Sequence, residues 1–248
     1  MNEESVVHEA LTLINQIADC ATNDEANDLV TRIIKLLGAG SFVYMTILPP
    51  QKSGETETYT YMLKCDSKFC ELYNSNKWML NDPFLDYAKS NSQPIFGSKV
   101  KLVAPGQREM LVKAAQHGFR TGMVIPNHTS LGSNKRMGLL YIGTDMTPET
   151  GEPILSKNRV LFGAIGTELL LWTNKQLKDQ AMRKYSLLED EIELLKFSKA
   201  GLKPLDISVI LNQKTSKIYN RLSVLRDKFD VEKIDHAVVI AESIGLLE

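Results

Sequence analysis

The sequence has few cysteines, no long apolar run and no excess of either charge, and each shortage excludes a class of protein. Only three of the 248 residues are cysteine, at Cys20, Cys65 and Cys70. Three cysteines cannot all pair, and their spacing is not that of a zinc site, so we expect reduced thiols. Lys and Arg total 29 against 30 Asp and Glu. This balance excludes a protein that coats nucleic acid with its whole surface.

No apolar run is long enough to span a bilayer, and the longest lies near residues 169–172. Glu3 and Glu4 stand where a signal peptide needs Lys or Arg ahead of an apolar block. Together these features predict a cytoplasmic protein with no membrane partner. Hydrophobic residues make up 43% and charged residues 24%, the composition of a globular protein. The chain is long enough for two domains of ordinary size.

The first 177 residues predict an α+β fold, because helical spacing of apolar residues alternates with strand-like segments. Those segments are rich in β-branched and aromatic residues and lie at 41–48, 59–63, 122–128 and 137–144. A long apolar helix is expected at 153–178, with leucines suited to a dimer interface. We expect an N-terminal antiparallel sheet flanked by helices, an α/β/α sandwich that can enclose a small molecule.

The composition changes after this domain. Residues 178–184 are polar and lack an apolar period, so they are predicted to be a linker. Residues 185–248 contain no strand pattern and predict a small all-α domain. Its four expected helices are at 188–200, 204–211, 214–229 and 234–244.

Two of these helices form a predicted helix-turn-helix. A short apolar helix ends at Asn212, a residue type that tolerates a left-handed turn, and the next helix buries Ile218, Leu222 and Leu225. Residues 214–228 carry five positive charges and one negative charge. A basic helix after a short turn suits the major groove of double-stranded DNA, although a solvated helix in an arbitrary bundle has the same pattern. The candidate DNA-binding residues are Lys214, Thr215, Lys217, Tyr219, Asn220 and Arg221.

Residues 187–248 also carry a family pattern. It opens with Leu187, Glu191, Leu195 and Gly201. Matches within the two-helix core follow at Asp206, Ile207, Leu211 and Ile218. The closing matches are at Lys228, Val231, Ala237, Val238, Gly245 and Leu246. This segment resembles the DNA-binding domain of the LuxR family of quorum-sensing regulators. Lys217 to Arg221 departs from the family's usual recognition-helix sequence, so the resemblance does not imply the family's usual operator.

The N-terminal domain extends the resemblance. Tyr73 precedes Asp82-Pro83 by nine residues, and Gly118, Gly122 and Pro126 fit the strand that follows the pocket. In the family this pocket binds an acyl-homoserine lactone, and the resemblance implies that Asp82 accepts the ligand's amide N–H and that Tyr73 lies near the acyl carbonyl. A buried carboxylate needs such a donor.

Two positions depart from the family pattern. Phe69 and Gly97 stand where the family has tryptophans, and Phe69 cannot donate a hydrogen bond. Trp78 is expected to refill part of the volume at Gly97. The predicted ligand-binding residues are Phe69, Tyr73, Trp78, Asp82 and Phe84. Without the resemblance, Asp82-Pro83 would be interpreted as a helix start and the aromatic residues as core.

The sequence lacks the common catalytic signatures, namely a glycine-rich phosphate loop, a Gly-x-Ser-x-Gly elbow and a His-x-x-x-His metal pair. We therefore expect neither an enzyme nor a cofactor or metal. The leading hypothesis is a homodimeric transcription regulator that senses a small diffusible signal, an acyl-homoserine lactone, and binds a DNA operator. One alternative is a regulator that is ligand-independent or senses a non-lactone metabolite. Another is an inhibitor that heterodimerises with a related regulator.

Overall fold

The structure is a computed structural model that describes residues 2–48, 58–64, 66–129 and 136–247. The chain divides into two compact units, and the described residues change from the first to the second between Trp172 and Thr173. Cys65 and the turn expected near 131–134 lie outside the described residues.

The first unit contains five strands and the helices that surround them, in two halves of the chain. The first half comprises α1 (Glu3–Asn15), α2 (Asn23–Leu36), β1 (Ser41–Leu48), β2 (Thr58–Lys64), α3 (Ser67–Ser75) and α4 (Pro83–Ser90). The second half comprises β3 (Ile95–Phe96), α5 (Gln107–Gln116), β4 (Thr121–His128), β5 (Met137–Thr144), α6 (Pro148–Lys157) and α7 (Arg159–Lys184), of which α7 continues into the second unit.

The strands form one sheet in the order β2-β1-β5-β4-β3. Strand β5 pairs antiparallel with both β1 and β4, and β3 pairs antiparallel with β4. The predicted α+β class and antiparallel sheet are confirmed. Strand β3 was not predicted, because its two residues are too few to show an alternating pattern.

The two faces of the sheet pack against different helices. Phe42 and Tyr44 of β1 belong to a core that α1, α2 and α7 complete. Met45, which follows Tyr44 and lies on the opposite face of β1, packs in a cluster with residues of α4. Val43 contacts a third cluster, built on α3 and α5. The alternation of the strand therefore places the sheet between two helical layers, with α3, α4 and α5 on one side.

One expected helix boundary was wrong. The helix expected at 153–178 is divided at Asn158, where α6 has ended and α7 begins one residue later. The Asn158 side-chain amide donates to the Leu37 carbonyl oxygen over 2.9 Å, a contact across the fold that no local pattern reveals. Residues 178–184, expected to be a linker, are the last turns of α7. Ala181 lies in the second unit's core, and one small residue gives little periodic signal.

The second unit contains α8 (Glu189–Lys199), α9 (Pro204–Ile210), α10 (Thr215–Phe229) and α11 (Ile234–Ser243). These helices begin and end within one residue of the predicted positions. Leu195, Ile207, Ile218 and Leu225 are almost fully buried in a shared core. Beside that core, Lys228 donates to the Glu191 carboxylate over 2.6 and 2.7 Å.

Candidate functional site

A pocket in the first unit lies between one face of the sheet and helices α3, α4 and α5. Its walls are mainly apolar, with a few polar groups among them. The lining residues are Val43, Met45, Phe69, Cys70, Tyr73, Asn74, Met79, Asp82, Phe84, Met110, Ala114, Phe119, Leu139 and Tyr141. Apolar walls with a few polar groups are typical of small-molecule sites.

Asp82 is the buried carboxylate of this pocket. It precedes α4, and its Oδ1 accepts the Phe84 backbone N–H over 2.8 Å, so it caps the helix that Pro83 begins. Its Oδ2 accepts the Tyr73 hydroxyl over 2.7 Å. Burial raises the pKa of Asp82, while the hydrogen bonds from Tyr73 and from backbone N–H groups oppose that rise. Helix capping and pocket lining are therefore both roles of Asp82.

Helix α3 places Phe69 and Tyr73 on one face, four residues apart. The Asp66 side chain caps this helix by accepting the Lys68 N–H over 2.9 Å. The same carboxylate lies 2.7 Å from Nδ1 of His117, and this contact lowers the pKa of Asp66. The N-terminus of α3 is thereby joined to the residue that follows α5.

The structure brings four of the five predicted ligand-binding residues into the pocket lining. Phe69, Tyr73, Asp82 and Phe84 are among the lining residues, but Trp78 is not. The Trp78 ring centroid lies 6.3 Å from those of both Phe69 and Tyr73, so it supports these two rings within the core.

The expectation that Trp78 refills the volume at Gly97 was wrong. A Cβ atom built on Gly97 would lie 3.0 Å from Phe84 Cζ and 3.2 Å from the Tyr141 hydroxyl oxygen. Phe84 and Tyr141 therefore occupy this space. Their rings stack with centroids 4.7 Å apart.

Tyr141 is a polar residue of the pocket that the sequence did not predict. It lies on β5, and a Cβ on Gly122 of the neighbouring strand would be 2.2 Å from its hydroxyl oxygen. Burial, and then the charge of Asp82, raise the pKa of Tyr141 far above its ordinary value, so the hydroxyl keeps its proton. A glycine in a strand beside a tyrosine was the available signal, since it marks a close approach.

The candidate DNA-binding residues lie along α10. Lys214, Lys217, Tyr219 and Asn220 are exposed. Thr215 Oγ1 lies 3.0 Å from the Ser208 hydroxyl of α9, and so joins the two helices of the turn. Asn212 in that turn has a φ of 48°, the left-handed conformation expected of it.

Arg221 differs from the other candidates on this helix. Its guanidinium donates to the Asp190 carbonyl oxygen over 3.1 Å and also to the Asp190 carboxylate. Only 17% of its side chain is exposed. The structure therefore places Arg221 against α8 rather than with the exposed side chains of α10.

The described residues include neither a candidate membrane-crossing helix nor a cluster of metal-binding side chains. None of their helices has both the length and the apolar character that a membrane crossing requires. In the same ranges, no three His, Cys, Asp or Glu side chains come together as a metal site would need.

Comparisons with known proteins bear on the first unit most directly. The family model described as an autoinducer binding domain matches residues 22–169. Two curated relatives are the transcriptional activator proteins AhyR of Aeromonas hydrophila and AsaR of Aeromonas salmonicida, and neither is named as an enzyme. Each is 21% identical over 153 residues, which cover 59% of this chain and 58% of the relative. The match thus spans less than two thirds of these relatives.

Several solved structures have a similar fold. SdiA in complex with octanoyl-rac-glycerol is 13% identical with a TM-score of 0.61, and the match covers 100% of this chain and 99% of SdiA. Another structure of Escherichia coli SdiA has a TM-score of 0.60 at 13% identity, covering 98% and 99%. CepR2 of Burkholderia cenocepacia, an N-acylhomoserine lactone dependent LuxR family factor, is 17% identical with a TM-score of 0.50, covering 65% and 89%. At such identities the similarity shows the fold alone.

Proposed function

The chain belongs to the autoinducer-binding domain family, as its resemblance to LuxR-type regulators predicted, and we propose that it is a DNA-binding transcription regulator controlled by a small diffusible signal. The observation that carries this proposal is the pocket in the first unit, with the buried Asp82 carboxylate in an otherwise mainly apolar lining. Such a pocket suits a ligand that has a polar head and an apolar chain.

The proposed ligand is an acyl-homoserine lactone. Its amide N–H would donate to Asp82, whose carboxylate can accept a further hydrogen bond beyond those from Tyr73 and from the backbone N–H groups of α4. Its acyl chain would contact the methionines and aliphatic residues of the lining. Phe69 lacks a donor, which favours a second candidate, an acyl ligand without the lactone such as the octanoylglycerol named with SdiA.

The second unit would bind double-stranded DNA through α10. Lys214 and Lys217 would contact phosphates, while Tyr219 and Asn220 would reach base edges from the exposed side of the helix. Arg221 would position α10 by holding Asp190 of α8. Thr215 would support the turn through its contact with Ser208.

The regulator would act as a cytoplasmic homodimer, because a two-fold pair of recognition helices matches the two halves of an operator. Val160 and Leu171, three helical turns apart on α7, are 78% and 54% exposed, and this apolar stripe suits a second copy of the chain. A ligand that binds only the folded or correctly paired form would raise its population by mass action.

The alternatives make different predictions. A ligand-independent regulator would bind its operator equally well with an empty pocket. An inhibitor that acts by heterodimerising would not bind an operator alone, and the exposed lysines of α10 argue against it. A gel-shift titration of the purified chain at several salt concentrations separates a DNA-binding regulator from such an inhibitor.

Mass spectrometry of small molecules extracted from the protein, purified from its native host, tests the sensor proposal. An acyl-homoserine lactone at one molecule per chain is the expected result. A different compound at one molecule per chain would support the sensor proposal and identify another signal. An empty, well-folded dimer would favour the ligand-independent regulator.

A further inference from the structure

Gln107, the first residue of α5, is a buried amide whose hydrogen-bonding capacity is filled within the protein. Only 1% of the residue is exposed. Its Oε1 accepts the backbone N–H groups of Val103 and Ala104 over 2.7 and 3.1 Å. Its Nε2 donates to the backbone carbonyl oxygen and to Oδ1 of Asn81 over 3.2 and 3.3 Å. A glutamine amide can accept two hydrogen bonds and donate two, and here all four are made.

These bonds hold three segments of the chain together. Residues 103–104 precede α5, Gln107 begins it, and Asn81 ends the short helical turn Trp78–Asn81. Asn81 strengthens the connection, because its Nδ2 donates to the Pro105 carbonyl oxygen over 2.8 Å. Gln107 and Asn81 are 26 positions apart in the chain, so their bonds fix tertiary structure and not a local turn.

The bond to the Asn81 carbonyl acts on the peptide unit that leads into Asp82. A peptide unit is planar, so holding the carbonyl group of one residue also holds the N–H and the Cα of the next. The Asp82 side chain starts from that Cα, and its Oδ1 accepts the Phe84 N–H. Gln107 therefore restrains the direction in which the Asp82 carboxylate faces the pocket.

Gln107 also stands on a helix that forms part of the pocket wall. Met110 and Ala114 of α5 line the pocket, about one and two helical turns after Gln107. Met79, from the helical turn that Gln107 holds, lines the pocket as well. The bonds of Gln107 thus connect two parts of the wall and place the Asp82 carboxylate relative to both.

We propose that Gln107 is a positioning residue of the sensor, which sets ligand affinity by orienting Asp82 without contacting the ligand itself. This inference rests on the proposed sensor function and deepens it, since it names a residue outside the pocket lining on which recognition by Asp82 depends. A residue with only a structural role would change the stability of the fold and leave the affinity of the folded protein unchanged.

The first test compares Gln107→Met with the wild type in calorimetric titrations with N-octanoyl-homoserine lactone. Methionine is similar in length and lacks the amide. We expect the affinity to fall by about tenfold, because a misdirected Asp82 loses most of a hydrogen bond to the ligand. Asn158→Leu is the matched control, since it removes an amide bond to the Leu37 carbonyl outside the pocket lining. Both variants should melt earlier than the wild type, and only Gln107→Met should bind more weakly.

A double-mutant cycle tests whether Gln107 acts through Asp82. In an Asp82→Asn background, Gln107→Met should reduce the affinity by clearly less than it does in the wild type, because the acceptor that it orients is already weakened. An equal reduction in both backgrounds would overturn the orienting role.

Gln107→Glu provides a conservative variant that keeps the size of the side chain. The ionised carboxylate can still accept the N–H groups of Val103 and Ala104 but cannot donate to Asn81. Protonation restores a donor, and burial favours the protonated form. The affinity deficit, measured against the wild type at the same pH, should therefore shrink as pH falls from about 8 towards 5. A deficit that is the same at every pH would contradict the role of the donated bonds.

The remaining outcomes separate this inference from the proposed function. A Gln107→Met protein that binds the lactone as tightly as the wild type, or an equal loss in Asn158→Leu, would overturn the positioning role and leave the sensor intact. A wild type that does not bind the lactone would overturn the proposed acyl ligand, and this inference with it.

Discussion

At the scale of single residues, Asp82 would connect stability with the proposed ligand binding. Its carboxylate caps α4 and accepts the Tyr73 hydroxyl, yet burial makes its charged form unfavourable. When folding raises the pKa of an acid, the protein loses folding stability as the acid ionises. For Asp82 this loss begins near the pKa of an unfolded Asp, about 3.9, and is complete once the pH has passed the higher folded value. A hydrogen bond from the amide N–H of the proposed ligand would offset the cost of burying the charged carboxylate.

Asp82→Asn should therefore raise the thermal stability of the ligand-free protein. The amide carries no charge, and its oxygen can still accept the Phe84 N–H. The midpoint of thermal unfolding should exceed that of the wild type by about 2–4 °C at pH 8, and the gap should shrink as pH falls towards 4. Circular dichroism melts at a series of pH values measure this.

Asp28→Asn, an exposed carboxylate of α2 that is not among the groups acting on the pKa of Asp82, is the control and should show no such trend. A gap for Asp82→Asn that does not depend on pH would contradict the assignment of a buried, disfavoured charge. The same variant should bind N-octanoyl-homoserine lactone at least about tenfold more weakly, because the charged acceptor is lost.

The sequence predicted the helical part of the pocket better than the sheet. Phe69, Tyr73, Asp82 and Phe84 lie on neighbouring helices, and short spacings connect them. Tyr141 comes from a strand far along the chain, and its place depends on the register that pairs it with Val124, two residues beyond Gly122 on β4. Pairing across strands leaves no local spacing to detect.

At the scale of elements, Gly122 of β4 leaves room for the ring of Tyr141 of β5, which lines the pocket. A Cβ on Gly122 would lie 2.2 Å from the Tyr141 hydroxyl oxygen and 2.9 Å from the Ile142 carbonyl oxygen. Gly122→Ala should therefore lower the free energy of unfolding by about 1–3 kcal/mol. Urea titrations give this difference directly.

Gly40→Ala is a suitable control for that substitution, since a Cβ there would meet nothing within 4 Å. Adding Tyr141→Leu to Gly122→Ala should recover part of the loss, because the shorter side chain withdraws from the new methyl group. A Gly122→Ala protein as stable as the wild type would contradict the described packing.

Lys217 and Arg221 of α10 should respond differently to substitution. Lys217→Ala would remove the proposed phosphate contact and should reduce the slope of log affinity against log salt by about one. Arg221→Ala should weaken DNA binding with little change in that slope, because the guanidinium is held by Asp190. Fluorescence anisotropy with a labelled duplex at several salt concentrations separates the two effects.

Asp190→Ala provides the matched test of this interpretation, since it breaks the same contact from α8. It should weaken binding much as Arg221→Ala does. If Arg221→Ala instead reduced the slope as Lys217→Ala does, Arg221 would be a DNA contact and not a positioning residue.

Most elements were predictable because each has a strong local signal. The four longer strands of the sheet alternate or are rich in β-branched residues, and the helices of the second unit carry apolar residues at helical spacing. The break at Asn158 was not predictable, because it depends on a hydrogen bond to Leu37 of another element. The helical turns at 178–184 were missed because Ala181 is their one almost fully buried apolar residue.

At the scale of the whole molecule, the proposal joins a ligand-binding unit to a DNA-binding unit in one chain. The ligand can change DNA affinity only if its own binding free energy differs between the DNA-binding form of the protein and the other forms. A ligand that bound both forms equally would shift nothing, whatever its affinity.

The most direct test is the dissociation constant of the full chain for a duplex that the protein itself selects from a random pool, with and without N-octanoyl-homoserine lactone. We expect the ligand to lower this constant at least about tenfold in the wild type, a coupling of ordinary size, and much less in Asp82→Asn. A chain that binds the lactone in its pocket and yet binds DNA equally well without it would contradict the account.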